Sequence, residues 1–199
     1  MNDQQPGKLI IISGPSGVGK STVVTQLTTE CPLPLRLSVS ATTRPPRGDD
    51  RPGENYIFLS DEEFQERVKA GEFLECVEVF GRGHWYGTLR EQVSTGLQQG
   101  DWIILEIDVE GAQKVRSRFP DAISIFIHPG SVEELERRLK GRGTDERQAI
   151  ERRLEVAKQE MDASVAYEHI VINKSVQQTV DDICKILLSA SDSKLQENK

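Results

Sequence analysis

Eight consecutive residues, Gly14-Pro15-Ser16-Gly17-Val18-Gly19-Lys20-Ser21, follow the pattern G-x-x-x-x-G-K-S/T. The spacing suits one task. Glycines let main-chain N–H groups converge on phosphate oxygens where a side chain would collide. A helix starting at the final glycine adds positive potential at its N-terminus. The Lys20 ammonium reaches the terminal phosphates, and the Ser21 hydroxyl, with Thr22 beside it, faces the Mg²⁺ that accompanies them. The bland alternative is a glycine turn between a strand and a helix. The apolar run before Gly14 and the helical pattern after Gly19 supply the context in which the pattern binds a nucleoside triphosphate.

Such a loop selects the triphosphate and leaves the reaction open, since GTPases, ATPases and small-molecule kinases share it. A guanine-reading Asn-Lys-x-Asp is absent, its nearest match being Asn173-Lys174-Ser175-Val176. Arginines crowd into 44–51 and 137–153 although the chain carries a net charge of −7. That combination argues against wholesale binding of nucleic acid or an anionic membrane and for small anionic ligands. A small kinase is the favoured reading.

The next informative stretch is Ser38-Val39-Ser40-Ala41-Thr42-Thr43-Arg44-Pro45-Pro46-Arg47. With Glu54-Asn55-Tyr56, Phe73-Leu74-Glu75, Tyr86-Gly87-Thr88, Ile107-Asp108-Val109-Glu110-Gly111, Arg138-Leu139-Lys140-Gly141-Arg142-Gly143 and Val171-Ile172-Asn173, it closely resembles the guanylate kinase family over residues 8–188. The resemblance implies a P-loop nucleoside monophosphate kinase that passes the γ-phosphoryl of Mg-ATP to GMP, with dGMP as a further acceptor. It implies a GMP pocket of Ser40, Arg44, Arg47, Tyr56, Glu75, Tyr86, Thr88 and Asp108. Lys20, Arg138, Arg142 and Arg153 match the phosphate-handling cations, and Asn173 matches an adenine-side contact. Glu106 stands where the family usually carries Asp, and can hold Mg²⁺ through water. The 81–85 turn is longer than the usual form. Open alternatives are a kinase for another base and a related binding module without catalysis.

The chemistry of guanine agrees with that pocket. Guanine offers donors at N1 and N2 and an acceptor at O6, so carboxylates such as Glu75 and Asp108 with hydroxyls such as Ser40 and Thr88 can read it. Adenine would leave those groups unpaired, a mismatch that can reach roughly 10⁴–10⁵-fold. Guanidinium forks at Arg44 and Arg47 suit the acceptor phosphate, and Tyr56 and Tyr86 can donate phenolic O–H groups to it. Taken one at a time the same residues have ordinary readings: a solvated Glu75, surface arginines, core tyrosines, turn hydroxyls at Thr42 and Thr43, packing cysteines.

Elements must position these groups. Continuous apolar runs at Lys8–Ser13, Trp102–Ile107 and Ala122–Ile127 read as buried strands, with shorter strands at Leu35–Ser40 and Ile170–Asn173. Helical patterns follow, and Ser60/Glu63, Thr88/Glu91, Ser131/Glu134 and Ser175/Gln178 fit the capping box. This alternation predicts an α/β fold: a P-loop NTPase core with a parallel sheet flanked by helices, spanning 1–40 and 89–199, with a helical lid at about 131–160. Turn residues and strand-like pieces at Tyr56–Leu59 and Phe73–Phe80 make 41–88 an inserted α+β lobe, which the resemblance makes the GMP-binding lobe. Residues 1–7 and 190–199 read as polar tails. At 199 residues, 36% of them hydrophobic, the chain can bury its own core. Apolar runs of four or five residues are too short for a membrane span, and the first residues lack a secretory h-region. Three scattered cysteines make no framework of disulfides or zinc ligands, so a reducing cytoplasm is expected. Oligomeric state is not legible.

Overall fold

The computed structural model describes residues 7–48, 50–78, 83–140 and 147–197, the side chains of 147–150 and 193–197 excepted. Nine strands, seven α-helices and a short 3₁₀ turn are assigned among these residues.

The apolar runs form the centre of a five-stranded sheet. Its strands are β1 (Leu9–Ser13), β2 (Leu35–Leu37), β7 (Trp102–Glu106), β8 (Ile123–His128) and β9 (His169–Ile172), in the order β2-β7-β1-β8-β9. Ile10, Ile11, Ile12, Ile104, Ile125 and Ile127 are wholly buried. A strand covered on both faces has no polar side to alternate with, so its sequence reads as an unbroken apolar run. Each such side chain contributes about 1.5–3 kcal/mol of burial. At the edge, β9 alternates, with Ile170 and Ile172 exposed, while pairing parallel to β8. β2 ends at Leu37, three residues short of the expected Ser40.

A second sheet holds β3 (Ala41–Thr42), β4 (Ile57–Phe58), β5 (Phe73–Glu78) and β6 (Trp85–Leu89), in the order β4-β3-β6-β5. It has its own core, in which Ala41, Phe64, Phe73 and Leu89 are buried together and the Phe64 and Phe73 rings stack at 4.5 Å. Phe64 comes from α2 (Asp61–Lys69), which opens on a complete capping box: Ser60 Oγ accepts from Glu63 N at 3.1 Å, and Glu63 Oε2 accepts from Ser60 N at 2.8 Å.

The remaining helices are α1 (Lys20–Glu30), α3 (Arg90–Gln98), α4 (Val109–Arg118), α5 (Val132–Lys140), α6 (Arg147–Asp162) and α7 (Val176–Glu197). Ser131 and Ser175 cap α5 and α7 as expected, each accepting from the backbone three residues on. Thr88 does not cap α3. Strand β6 runs through it, Leu89 takes the N-cap position, and no side chain caps the helix. Helix α7 runs to Glu197, well past Leu188 and through most of the segment expected to be a tail. By contacts the chain divides into two compact units, residues 1–10 with 36–122, and residues 11–35 with 123–199.

Candidate functional site

In the second unit, Gly14–Gly19 leaves β1 and enters α1 at Lys20. Two glycines are required by geometry. Gly19 sits at φ 98°, a conformation L side chains rarely adopt. A Cβ on Gly14 would run into the Ile127 carbonyl oxygen. Pro15 and Val18 are buried, Ser16 and Gly17 line the loop, and Ser21 and Thr22 are exposed on the first turn of α1. Lys20 Nζ donates to the Gly14 carbonyl at 2.6 Å and the Pro15 carbonyl at 3.4 Å, which holds the ammonium against the loop.

The structure brings three of the predicted partners to this loop. Arg138, on α5, donates to Val18 O at 3.2 Å and Asn173 O at 2.6 Å. Its Nε donates to Glu134 at 2.7 Å, and with Arg137 it pulls the Glu134 carboxylate down to about 2. Arg153, on α6, donates to Ser16 Oγ at 3.1 Å. Asn173 is buried, with Nδ2 donating to Val18 O at 2.8 Å and Oδ1 accepting from Thr179 Oγ1 at 3.0 Å. Both ends of its amide are therefore engaged by the chain itself, in bracing the loop. Leu135, Leu139 and Ala157 form the apolar seam joining α5 and α6. Arg142, with Gly141 and Gly143, lies outside the described residues.

In the first unit, the antiparallel register of β5 and β6 places Glu75 opposite Thr88. Thr88 Oγ1 donates to Glu75 Oε1 at 2.7 Å, and both residues are buried. Satisfying a buried carboxylate outweighs capping an exposed helix end, which explains the lost cap. The other carboxylate oxygen, Glu75 Oε2, is buried without a hydrogen-bond partner. Asp108 is the N-cap of α4 and accepts from Gly111 N at 2.7 Å. The Cβ that Gly111 lacks would stand 2.9 Å from Glu75 Oε2 and 3.2 Å from Asp108 Oδ1. Two acids thus converge on one glycine. Burial first, with the Asp108 charge adding, pushes the Glu75 carboxyl up to about 7, against the Thr88 hydrogen bond and the Lys114 charge.

In the same unit, Arg44 is buried. It donates to Asp50 Oδ2 at 2.8 Å and lies 5.2 Å from the Tyr56 ring centroid and 5.7 Å from that of Phe58. Asp50 Oδ2 also accepts from Arg47 N at 2.6 Å. Tyr56 and Tyr86 meet edge to face at 5.8 Å. Arg44 is held charged by its bond to Asp50 and by Tyr86, while burial and the Glu106 charge raise the Tyr56 phenol. Ser40 accepts from Ile57 N through its carbonyl at 2.9 Å, and Arg47 is exposed. Thr42 and Thr43 hydroxyls tie the loop to β6 at Trp85.

Several residues of this arrangement were not singled out from sequence. Asp50 had only its acidity within an arginine-rich turn to mark it. Gly111 stood inside a quoted motif without a role. Lys114 and Arg118 of α4 donate to Cys76 O at 2.9 Å and Leu74 O at 2.5 Å, gripping β5 on both sides of Glu75. Helical spacing put them on one face of α4, but nothing local named the target. Residues 79–82, which include the first two residues of the long turn, lie outside the described residues; Gly83 N donates to Glu78 at 2.9 Å.

A glycine cradle opening a helix, with a mostly parallel sheet behind it, defines an α/β protein of the P-loop NTPase-like class. The guanylate kinase family model matches residues 6–190. A guanylate kinase of Rhodopirellula baltica is 55% identical over 184 residues, covering 92% of this chain and 88% of that protein. One from Caldanaerobacter subterraneus is 42% identical over 199 residues, covering 100% and 95%. The crystal structure of guanylate kinase from Anaplasma phagocytophilum superposes with a TM-score of 0.78 at 32% identity, covering 94% of this chain and 87% of that one. The chain belongs to the guanylate kinase family.

Proposed function

We propose that this protein is an ATP:GMP phosphotransferase, moving the γ-phosphoryl group of ATP to GMP and also accepting dGMP. The observation that carries the guanine assignment is the buried, unpartnered Glu75 Oε2 beside Gly111 and Asp108. A desolvated acceptor of this kind is costly unless a ligand supplies donors, and guanine N1–H and N2–H are such donors. Thr88 holds the other oxygen and so fixes the carboxylate plane. Ser40 and Asp108 complete the base reading, and Arg44, Arg47, Tyr56 and Tyr86 take the GMP phosphate.

On the ATP side the main-chain amides of Gly14–Gly19 take the phosphates, and Lys20 leaves the Gly14 carbonyl to pair with them. Arg138 and Arg153, already on the loop, neutralise charge that develops during transfer; Arg142 is assigned the same task. Asn173 acts by holding Val18 in place. The acceptor is already an anion, so the reaction requires no general base; positioning and charge compensation suffice.

The donor set fits Mg²⁺. That ion keeps most of its waters and needs few protein oxygens beyond substrate phosphates, and Ser21 is an exposed residue at the start of α1. Ser21 would hold it directly. When bound, Mg²⁺ supplies charge neutralisation at the β- and γ-phosphates.

An ADP-release assay with ATP and each monophosphate tests the reading. GMP and dGMP should turn over, with AMP and UMP lower by several orders of magnitude. AMP or UMP at rates rivalling GMP would overturn the guanine assignment. K20A should cost at least about 10²-fold in kcat; near-normal turnover would mean that the cradle is misassigned.

A further inference from the structure

Cys31 caps the C-terminal end of α1, its N–H on the Leu27 carbonyl at 3.0 Å, and it is buried. Cys184 lies on α7 and is half-buried. The two residues are 153 positions apart, yet Cys184 Sγ donates to Cys31 Sγ at 2.6 Å. A disulfide bond measures about 2.05 Å, so closing the gap takes roughly half an ångström of sulfur movement. The flanking helices are already joined. Gln26 donates to Glu30 at 2.9 Å and to Gln177 at 2.7 Å, and Gln177 donates to Glu30 at 2.9 Å and Asp181 at 3.1 Å. Read from sequence alone the cysteines were scattered packing residues; the fold makes two of them neighbours.

We propose that Cys31 and Cys184 form a dithiol that closes reversibly into an intramolecular disulfide, a covalent staple between α1 and α7. The co-reactant is a small disulfide, RSSR. Cys184, the more exposed sulfur, loses its proton to solvent and attacks RSSR, whose S–S bond breaks to release RS⁻. Cys31 then loses its proton and attacks the Cys184 sulfur, expelling the second RS⁻. Two thiol protons and two electrons leave the protein, and RSSR becomes two RSH.

The surroundings set the rates. Burial, the hydrogen bond to Cys31 and the Asp181 charge push the Cys184 thiol up to about 12, so the first step is slow near neutral pH and quickens as the pH rises. The second step joins sulfurs already in contact, so the mixed disulfide does not accumulate. Helix α1 carries Cys31 roughly 16 Å along its axis from Lys20, which keeps the staple clear of the phosphate cradle. Turnover is therefore retained in the cross-linked protein.

The folded protein is incubated with oxidised glutathione at about pH 8.5, quenched with acid, alkylated and mapped by mass. The expected product is lighter by about 2 Da, has one alkylatable thiol at Cys76, and contains a linked Cys31–Cys184 peptide pair. Its thermal midpoint rises by at least about 5 °C, because the bond closes a very long loop in the unfolded chain. Dithiothreitol reverses both changes, and C184S and C184V show neither. Three alkylatable thiols after treatment, a link involving Cys76, or a persistent glutathione adduct on Cys184 would each overturn the proposal. The mass map of the unmodified protein decides the matter without any variant.

Discussion

Glu75 is the residue on which specificity and stability meet. Its carboxyl is raised from 4.5 to about 7 in the folded chain. The folded state therefore holds a proton that the unfolded state has released between those two values. Stability is highest below about pH 4.5 on this account and falls as pH rises towards 7, by roughly 3 kcal/mol. E75Q is neutral throughout. Denaturant titrations from pH 4.5 to 8 should show a shallower decline for E75Q than for the parent, with E75Q the more stable at pH 8; parallel profiles would contradict the burial account. Reading guanine N1–H and N2–H requires the ionised form, so kcat/KM for GMP should rise with pH through about 7. E75Q should lose at least about 10²-fold in GMP affinity, with the KM for ATP little changed. Equal losses for both nucleotides would point to a folding defect instead. On the proposed reading, the Glu75 carboxylate thus costs stability where it would serve binding.

Among the elements, α4 bears most directly on the proposed acceptor site. Its N-cap is Asp108, its first turn brings Gly111 against Glu75, and its later turns send Lys114 and Arg118 to carbonyls on either side of Glu75. One helix therefore fixes the spacing of both carboxylates. G111A would place a methyl 2.9 Å from Glu75 Oε2; the KM for GMP should rise at least about tenfold while ATP binding holds, because a contact that tight forces the carboxylate to move. R118A should raise the KM for GMP several-fold with a smaller effect on kcat, since Arg118 acts by positioning β5. K114M removes a charge that favours ionised Glu75, so the acid limb of the GMP profile should move to higher pH. A fall in kcat alone, with KM and the limb unmoved, would assign these residues a purely structural role. Helix α2 offers a contrast: S60A loses the capping box, about 1 kcal/mol of stability, and should leave the pH profile unchanged.

For the molecule as a whole, the two sets of residues proposed to bind the nucleotides fall in different compact units. The cradle with Arg138, Arg153 and Asn173 belongs to one; Glu75, Thr88, Asp108 and Arg44 belong to the other. Each nucleotide should therefore stabilise the fold through its own residues. At a hundredfold excess over Kd a ligand contributes about 2.7 kcal/mol, a shift of several degrees for a chain of this size. Thermal unfolding should show a GMP shift that E75Q abolishes and K20A retains, and an ATP shift with the opposite pattern. A variant that erased both would mean that the two sets are not separable. Among the described residues no helix is long and apolar enough to cross a membrane.

What could be read from the chain by itself was what is local. The cradle is contiguous, and its chemistry comes from main-chain amides whose exposure the glycines dictate, so Gly14–Ser21 carried its meaning in spacing alone. The buried strands were equally plain, because an unbroken apolar run has few other uses. The proposed acceptor site was suggested by resemblance to a family, and its physics was not legible: Glu75, Thr88 and Asp108 lie on β5, β6 and the start of α4, and only strand register and helix packing bring them together. Tertiary structure also overruled a local signal at Thr88, whose hydroxyl serves a buried carboxylate in preference to a helix end. It alone decided that Asp50 clamps Arg44, that the Asn173 amide braces the P-loop, and that Cys31 faces Cys184. Contacts between residues far apart in sequence leave no period or motif behind, since each partner is chosen by where the packed core places it.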